Sequence, residues 1–169
     1  MSAILGFYRG DGRDGTGRTI EEVWAFGRGA LETRHDFIQW LFPLREASRY
    51  NPAAPLLTDK DEAAFRDEPG LRARLLRSLD LMLGFYGLAR RDGAVVPVSD
   101  EALARAPWLA PGDHNHLRLS RIVQSLALLG EEDWAMALRA RLMAIAAAHP
   151  DRVAPQTAAI WARLLDRLG

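Results

Sequence analysis

The sequence predicts an all-α fold: a single compact domain of about seven helices around a central apolar helix. Three observations lead there. Apolar residues recur at helical spacing over long segments, and capping residues and breakers punctuate the chain at helix-sized intervals. Only one stretch, RRDGAVVPVSD, is open to an extended reading. With 169 residues, 49% of them apolar and 26% charged, the chain can bury a core of its own.

GFYRGDGRDGTGRT near the start reads as a glycine-rich, charged loop. Thr19 and Glu22 then have capping-box spacing, so a short helix starts at Ile20. Gly27 and Gly29 interrupt it, and a second helical piece begins near Ala30. In HDFIQWLFPL, residues 35–44, Asp36 and Gln39 repeat the capping-box spacing. Asp36 is therefore read as the N-cap of a short buried helix stopped by Pro43. A structured, Pro-rich loop over 43–57 follows, lying on the core. Thr58 and Asp61 cap a helix over about 59–66.

Pro69 suits the first turn of the central helix, about 69–90, whose apolar row is Leu71, Leu75, Leu79, Met82 and Tyr86. Arg77, Asp80, Gly84 and Gly87 share another face, where the two glycines predict close approach of a neighbouring helix. Ser99 and Asp100 cap a short helix. Asp113 caps a long one that runs to about Leu129 and is ended by Gly130. GEEDWAMALRARLMAIAAAHP gives another, with acidic residues in its first turn. After Pro155 the last helix aligns Thr157, Trp161, Leu164 and Leu168.

Composition excludes several functions. There is no cysteine, hence no disulfide framework, thiolate zinc site or cysteine nucleophile. The formal net charge of zero gives no standing field toward nucleic acid or anionic membrane. A cleaved signal and a spanning helix are not expected, since no run approaches the roughly 20 apolar residues a span needs. The chain is therefore expected in the cytoplasm. Lys60 is the only lysine among 22 basic residues, a bias of a GC-rich genome. Only the placement of an arginine is informative.

His35 and Asp36 are the first candidate for chemistry. Such a pair serves acyl transfer only beside a nucleophile and an oxyanion site. No Gly-x-Ser-x-Gly elbow is present, and Ser48, Ser78, Ser99, Ser120 and Ser125 lack a nucleophile's context. Capping is therefore preferred for Asp36, and His35 is read as a hydrogen-bonded histidine at the core edge. If the helix runs unbroken from Ala30, Glu32, Asp36 and Gln39 share a face suited to a cation or to acid–base work. A solvated polar face is the preferred alternative.

His114-Asn115-His116 is the second candidate. On a helix these histidines point about 200° apart, so they do not share a metal ion, and no metal is assigned. His114, Arg118, Arg121 and Ser125 form a row on the side away from Leu119 and Ile122. A cationic row near a helix start can seat a phosphate or carboxylate. Surface arginines pairing with Glu32, Asp36 or Asp80, or a salt-bridge network at a buried edge, explain the same pattern and are preferred. Arg9 and Arg18 in the opening loop either join such a site or are solvated. Trp24, Trp40, Trp108, Trp134 and Trp161 are anchors of the core or an interface, with Trp40 and Tyr86 bordering any ligand site.

Six strings, GFYRG, TIEEVW, HDFIQWLFPLRE, NPAAPLLT, LMLGFYGL and HNHLRLSRIVQSLALLG, together resemble the conserved region of the opioid growth factor receptor family. They stand in the family's order within residues 5–130. Within the family Ser replaces Asp36 and Asn replaces His116, exchanges that keep a cap and remove a catalytic carboxylate or metal ligand. The resemblance implies a compact, stand-alone copy of a region that the receptors carry within longer chains. Those receptors are associated with the peptide Met-enkephalin and the nuclear periphery.

The reading that follows is a non-enzymatic helical binding module. Its groove, formed by residues 30–57, the central helix and the 113–129 helix, takes an acidic group, a peptide or a protein partner. Arg18, His35, Gln39, Trp40, Asn51, Tyr86, His114, Asn115, Arg118 and Arg121 are its ligand-binding residues. No cofactor is implied, and peripheral membrane association rests on the family alone. The alternative is an enzyme acting on a phosphate- or carboxylate-bearing small molecule through His35, Asp36, His114 and Arg118. Nucleic-acid binding is a weaker third reading.

Overall fold

The computed structural model describes residues 2–166 and Leu168. Among these it has ten helices and a two-stranded sheet, so it is mostly helical without being strictly all-α. The chain divides into two compact units, Met1–Leu81 and Met82–Gly169.

Unit 1 begins with α1 (Ala3–Arg9), where the sequence predicted a loop from Gly6 onward. Ser2 caps it by accepting the Leu5 N–H at 3.2 Å, and Ile4, Phe7 and Tyr8 are wholly buried. The helical spacing is present, but the segment is too short to stand out beside its glycines. After Gly10 the chain turns back so tightly that a Cβ on Gly12 would lie 2.8 Å from the Gly6 carbonyl carbon. Only glycine fits there.

α2 (Ile20–Trp24) and α5 (Asp59–Asp67) carry both expected capping boxes, Thr19 with Glu22 and Thr58 with Asp61. α3 (Arg28–Thr33) stops before the extended Arg34, so no helix runs unbroken from Ala30 to Gln39. α4 (Ile38–Leu41) starts later than expected. Its N-cap is Phe37, with no side-chain cap, and the Phe37 carbonyl accepts from Trp40 and Leu41 at 3.0 and 3.1 Å. Asp36 is therefore not the cap.

α6 (Pro69–Phe85) supplies Ser78 to the core of unit 1. The Tyr8 hydroxyl lies 2.5 Å from the Leu41 carbonyl and 3.1 Å from Ser78 Oγ. Its single proton goes to Leu41, so Ser78 O–H donates to Tyr8 while accepting the Trp24 indole N–H at 2.9 Å. A donor chain thus runs from Trp24 through Ser78 and Tyr8 to a main-chain carbonyl. This is the structural task of a serine that the sequence left without one. Burial pushes the Tyr8 hydroxyl well above its ordinary pKa, against the lowering by Ser78 and by the charge of Arg74.

In unit 2, α6 ends at Phe85 rather than near residue 90. Gly87 turns the chain at φ 74°, and β1 (Leu88–Arg91) pairs antiparallel with β2 (Ala94–Pro97). Asp92 and Gly93 stand at φ 50° and 78°, the positive pair that a two-residue hairpin turn requires. Gly84 faces open space: a Cβ there meets nothing within 4 Å, so no helix approaches it.

α7 (Asp100–Ala104) is capped by Ser99, whose Oγ accepts the Ala102 N–H at 3.0 Å. α8 (Asn115–Leu128) packs on α9 (Glu132–Ala148) through Leu119, Ile122, Leu126, Ala135, Leu138 and Leu142, all at 0% exposure. α9 also covers β2, and Arg141 Nε donates to the Val95 carbonyl at 2.8 Å. α10 (Pro155–Arg163) begins on Pro155 and packs on α9, and its buried Trp161 lies 5.5 Å, ring centre to ring centre, from His116 of α8. No helix among the described residues is long and apolar enough to cross a membrane.

Candidate functional site

In unit 1, Asp14 is the residue that the sequence reading missed. It sits in the DGTGR turn with its side chain at 0% exposure. One oxygen, Oδ1, accepts the Thr16 N–H, the Thr16 hydroxyl and the Arg18 N–H at 2.9, 2.9 and 3.0 Å. The other, Oδ2, accepts Arg18 Nε at 2.6 Å. An aspartate followed by threonine two residues on is an Asx-turn pattern, so the signal was present. Burial alone would raise this carboxyl's pKa, but the bonds from Arg18 and Thr16 outweigh it and hold it below the ordinary range.

Arg18 is thereby committed. Its second branch donates to Asp36 Oδ1 at 2.8 Å, and its guanidinium lies 5.3 Å from the Phe26 ring centre. Burial would lower its pKa, and the two carboxylates more than restore it. Arg18 thus ties the opening loop to the segment before α4. Arg9, the other arginine of that loop, pairs with Glu68.

Asp36 serves that ion pair rather than a cap, and its main-chain carbonyl accepts Asn51 Nδ2 at 3.3 Å. His35 is exposed, not at the core edge. Gln39 is buried at 4% exposure, and its amide meets Asn51 Nδ2 and Ser48 Oγ, both at 3.4 Å. Trp40 is buried beside Phe7, ring centres 5.4 Å apart. The structure therefore joins Gln39 to Asn51.

In unit 2, Asn115 is fully buried and is the junction of the predicted set. Its Oδ1 accepts the Tyr86 hydroxyl at 3.2 Å and Arg118 NH1 at 3.4 Å. Asp113 Oδ1 accepts the Asn115 N–H at 2.8 Å, though the helix's N-cap is His114. The arginine row is not on the surface: Arg118 is 5% exposed and Ser125 0%. Burial pulls the Arg121 guanidinium down to about 10.

The two histidines of the HNH string part as expected. His114 is exposed, with Nδ1 3.9 Å from Asp113, while His116 is buried, with Nε2 2.8 Å from the Trp108 carbonyl. That contact makes Nε2 the protonated nitrogen. Trp108 also donates its indole N–H to the Tyr86 carbonyl at 3.1 Å, and its ring stands edge-on to Tyr86 at 5.5 Å. The loop bearing Trp108 is held by Arg152, which no sequence signal marked. Its guanidinium donates to three carbonyls, of Leu109 at 2.7 Å, Ala106 at 3.2 Å and Ala104.

Comparison with known proteins completes the picture. The family described as "Opioid growth factor receptor (OGFr) conserved region" matches residues 7–151. The rat opioid growth factor receptor is 41% identical over 123 residues, covering 70% of this chain and 21% of the receptor. The human receptor is 38% identical over 134 residues, covering 76% and 20% respectively. Opioid growth factor receptor-like protein 1 of Xenopus tropicalis is 34% identical over 122 residues, covering 70% of this chain and 24% of that protein. This chain thus spans about a fifth to a quarter of the length of these relatives. No solved structure matches it. With the family's conserved region matched over most of its length, the chain belongs to the opioid growth factor receptor conserved-region family.

Proposed function

We propose that this chain is a helical binding module that recognises an acidic group on a peptide or protein partner and catalyses no reaction. The observation that carries the reading is the composition of the loop between α4 and α5. Both large apolar side chains that unit 1 leaves exposed among its described residues, Tyr50 at 72% and Leu56 at 48%, lie there beside the exposed Arg49. Tyrosine and arginine on an anchored surface are typical binding anchors, and exposed apolar side chains gathered in one place mark interaction sites.

Further support comes from the groups that catalysis would need. Asp36 is engaged by Arg18, which donates to its Oδ1 at 2.8 Å. Ser78 is committed to Tyr8 and Trp24. The ligand-binding set that we propose lies in unit 1 and comprises Gln39 and Trp40 with the exposed side chains of the loop. The relatives are named receptors for opioid growth factor, which makes a peptide the ligand class to try first.

Calorimetric titration with Met-enkephalin, as the free acid and as the C-terminal amide, tests the reading. Saturable binding of the acid is expected, with affinity reduced about tenfold by Tyr50→Ala and by Arg49→Gln. Melting temperatures recorded alongside separate lost binding from lost folding. Equal affinity for the amide would remove the acidic-group element, and no binding of either form would remove the peptide-receptor reading.

A further inference from the structure

Residues 44–57 form a loop whose two ends meet, with the Leu57 N–H donating to the Leu44 carbonyl at 2.9 Å. Next to that closure Arg45 grips Glu62 through two bonds, of 2.6 and 2.8 Å. The middle is held differently. Asn51 Nδ2 donates to the Asp36 carbonyl at 3.3 Å and to Gln39 Oε1 at 3.4 Å. The neighbouring contacts, Gln39 Nε2 to Ser48 Oγ at 3.4 Å and the Tyr50 N–H to Ser48 Oγ at 3.2 Å, are as long. Contacts at this distance sit at the outer edge of the hydrogen-bond range, whereas those at the closure are near its centre.

Asn51 also shapes the chain locally. Its carbonyl accepts the Ala54 N–H at 3.1 Å, closing a turn in which Pro52 supplies the fixed φ of the second position. The buried Gln39 is the fixed post on which the amide rests. Both hydrogens of that amide are in use, and both partners are acceptors. No other side chain could hold this point by the same two bonds without an amide or amine in its place.

We propose that Asn51 is a positioning residue: its amide latches the loop in the conformation that presents Arg49 and Tyr50 to a partner. A loop already ordered loses less freedom when it binds, so the latch sets affinity without touching the ligand. The latch rests on geometry, and its effect on affinity rests on the binding function proposed above.

Limited trypsin digestion of the full chain tests it, because the Arg49–Tyr50 bond is cut in proportion to the time the loop spends open. Two variants are compared. Asn51→Asp keeps the shape but replaces both donors with acceptors, and Asn51→Ala removes the side chain without adding charge. Both should raise the cleavage rate after Arg49 about fivefold, with cleavage after Arg141 and the melting temperature unchanged. Affinity for Met-enkephalin should fall by a similar factor, and saturating peptide should restore protection of the bond.

An unchanged rate at Arg49 in both variants overturns the latch. Raised cleavage with unchanged affinity overturns the positioning role. Raised cleavage with no binding by the unaltered chain supports the latch and removes the function proposed for the loop.

Discussion

The two units satisfy their half-buried arginines in opposite ways. In unit 1 the partners of Arg18 are carboxylates, Asp14 at 2.6 Å and Asp36 at 2.8 Å. In unit 2 the partners of Arg152 are main-chain carbonyls, and those of Arg118 include a neutral amide. A carboxylate supplies a full countercharge but can be protonated. A carbonyl supplies only a dipole, yet it does not change with pH. The ties of Arg18 in unit 1 are therefore contacts that acid can remove, and those of Arg152 in unit 2 are contacts that it cannot.

Removing Asp14 should have the largest effect. Asp14→Ala takes away a buried carboxylate with bonds to Thr16 and Arg18, and should cost about 3 kcal/mol at pH 7. Because the folded pKa of Asp14 lies below its unfolded value, its stabilisation is complete above the unfolded value of about 4. It is lost as pH falls through the folded value. Urea unfolding at pH 7 and pH 3 should accordingly show a smaller acid loss for the variant than for the unaltered chain. An equal loss would mean that other carboxylates govern the acid limb.

Arg152→Met should cost about 2 kcal/mol by withdrawing the donor from three carbonyls in the 104–109 loop. Its penalty should be the same at pH 7 and pH 4. A penalty that changes between them would place a titrating group at this clamp and blur the contrast. The smallest effect should be a gain. Gly84→Ala adds a methyl group to an exposed helical position with free space around it, worth about 0.8 kcal/mol. Touching neither network, it should raise stability equally at both pH values in the same unfolding experiment.

What the sequence disclosed follows the range of the interaction responsible. The caps at Thr19, Thr58 and Ser99 act within three residues, and all three are present. The Asp36–Gln39 pair has the same spacing and fails. Asp36 is claimed instead by Arg18, eighteen residues earlier, and such a competitor leaves no mark on local spacing. The arginine row on α8 has a clear period in the sequence, which leaves a surface face and a buried edge equally open, because periodicity finds a face without saying what covers it; Arg118 is buried. Arg152 was invisible, since its partners are carbonyls that every residue carries, 43 and 46 positions away. The Asp92-Gly93 turn was legible as a hairpin signal and was left undecided between strand and loop. Of the candidate site, the contacts that the structure joined, Gln39 with Asn51 and Tyr86 with Asn115, are between residues that the sequence had already singled out.

The meeting of Leu44 and Leu57 makes the loop between them a cassette. Chain enters and leaves the scaffold at one point, and between its ends Ser48 and Asn51 reach back to Gln39 of α4. Doubling the number of residues in such a closed loop costs only about 0.6 kcal/mol in closure entropy. Insertions that spare Ser48 and Asn51 are thus changes this fold can absorb cheaply, because neither the closure nor the inner contacts have to move.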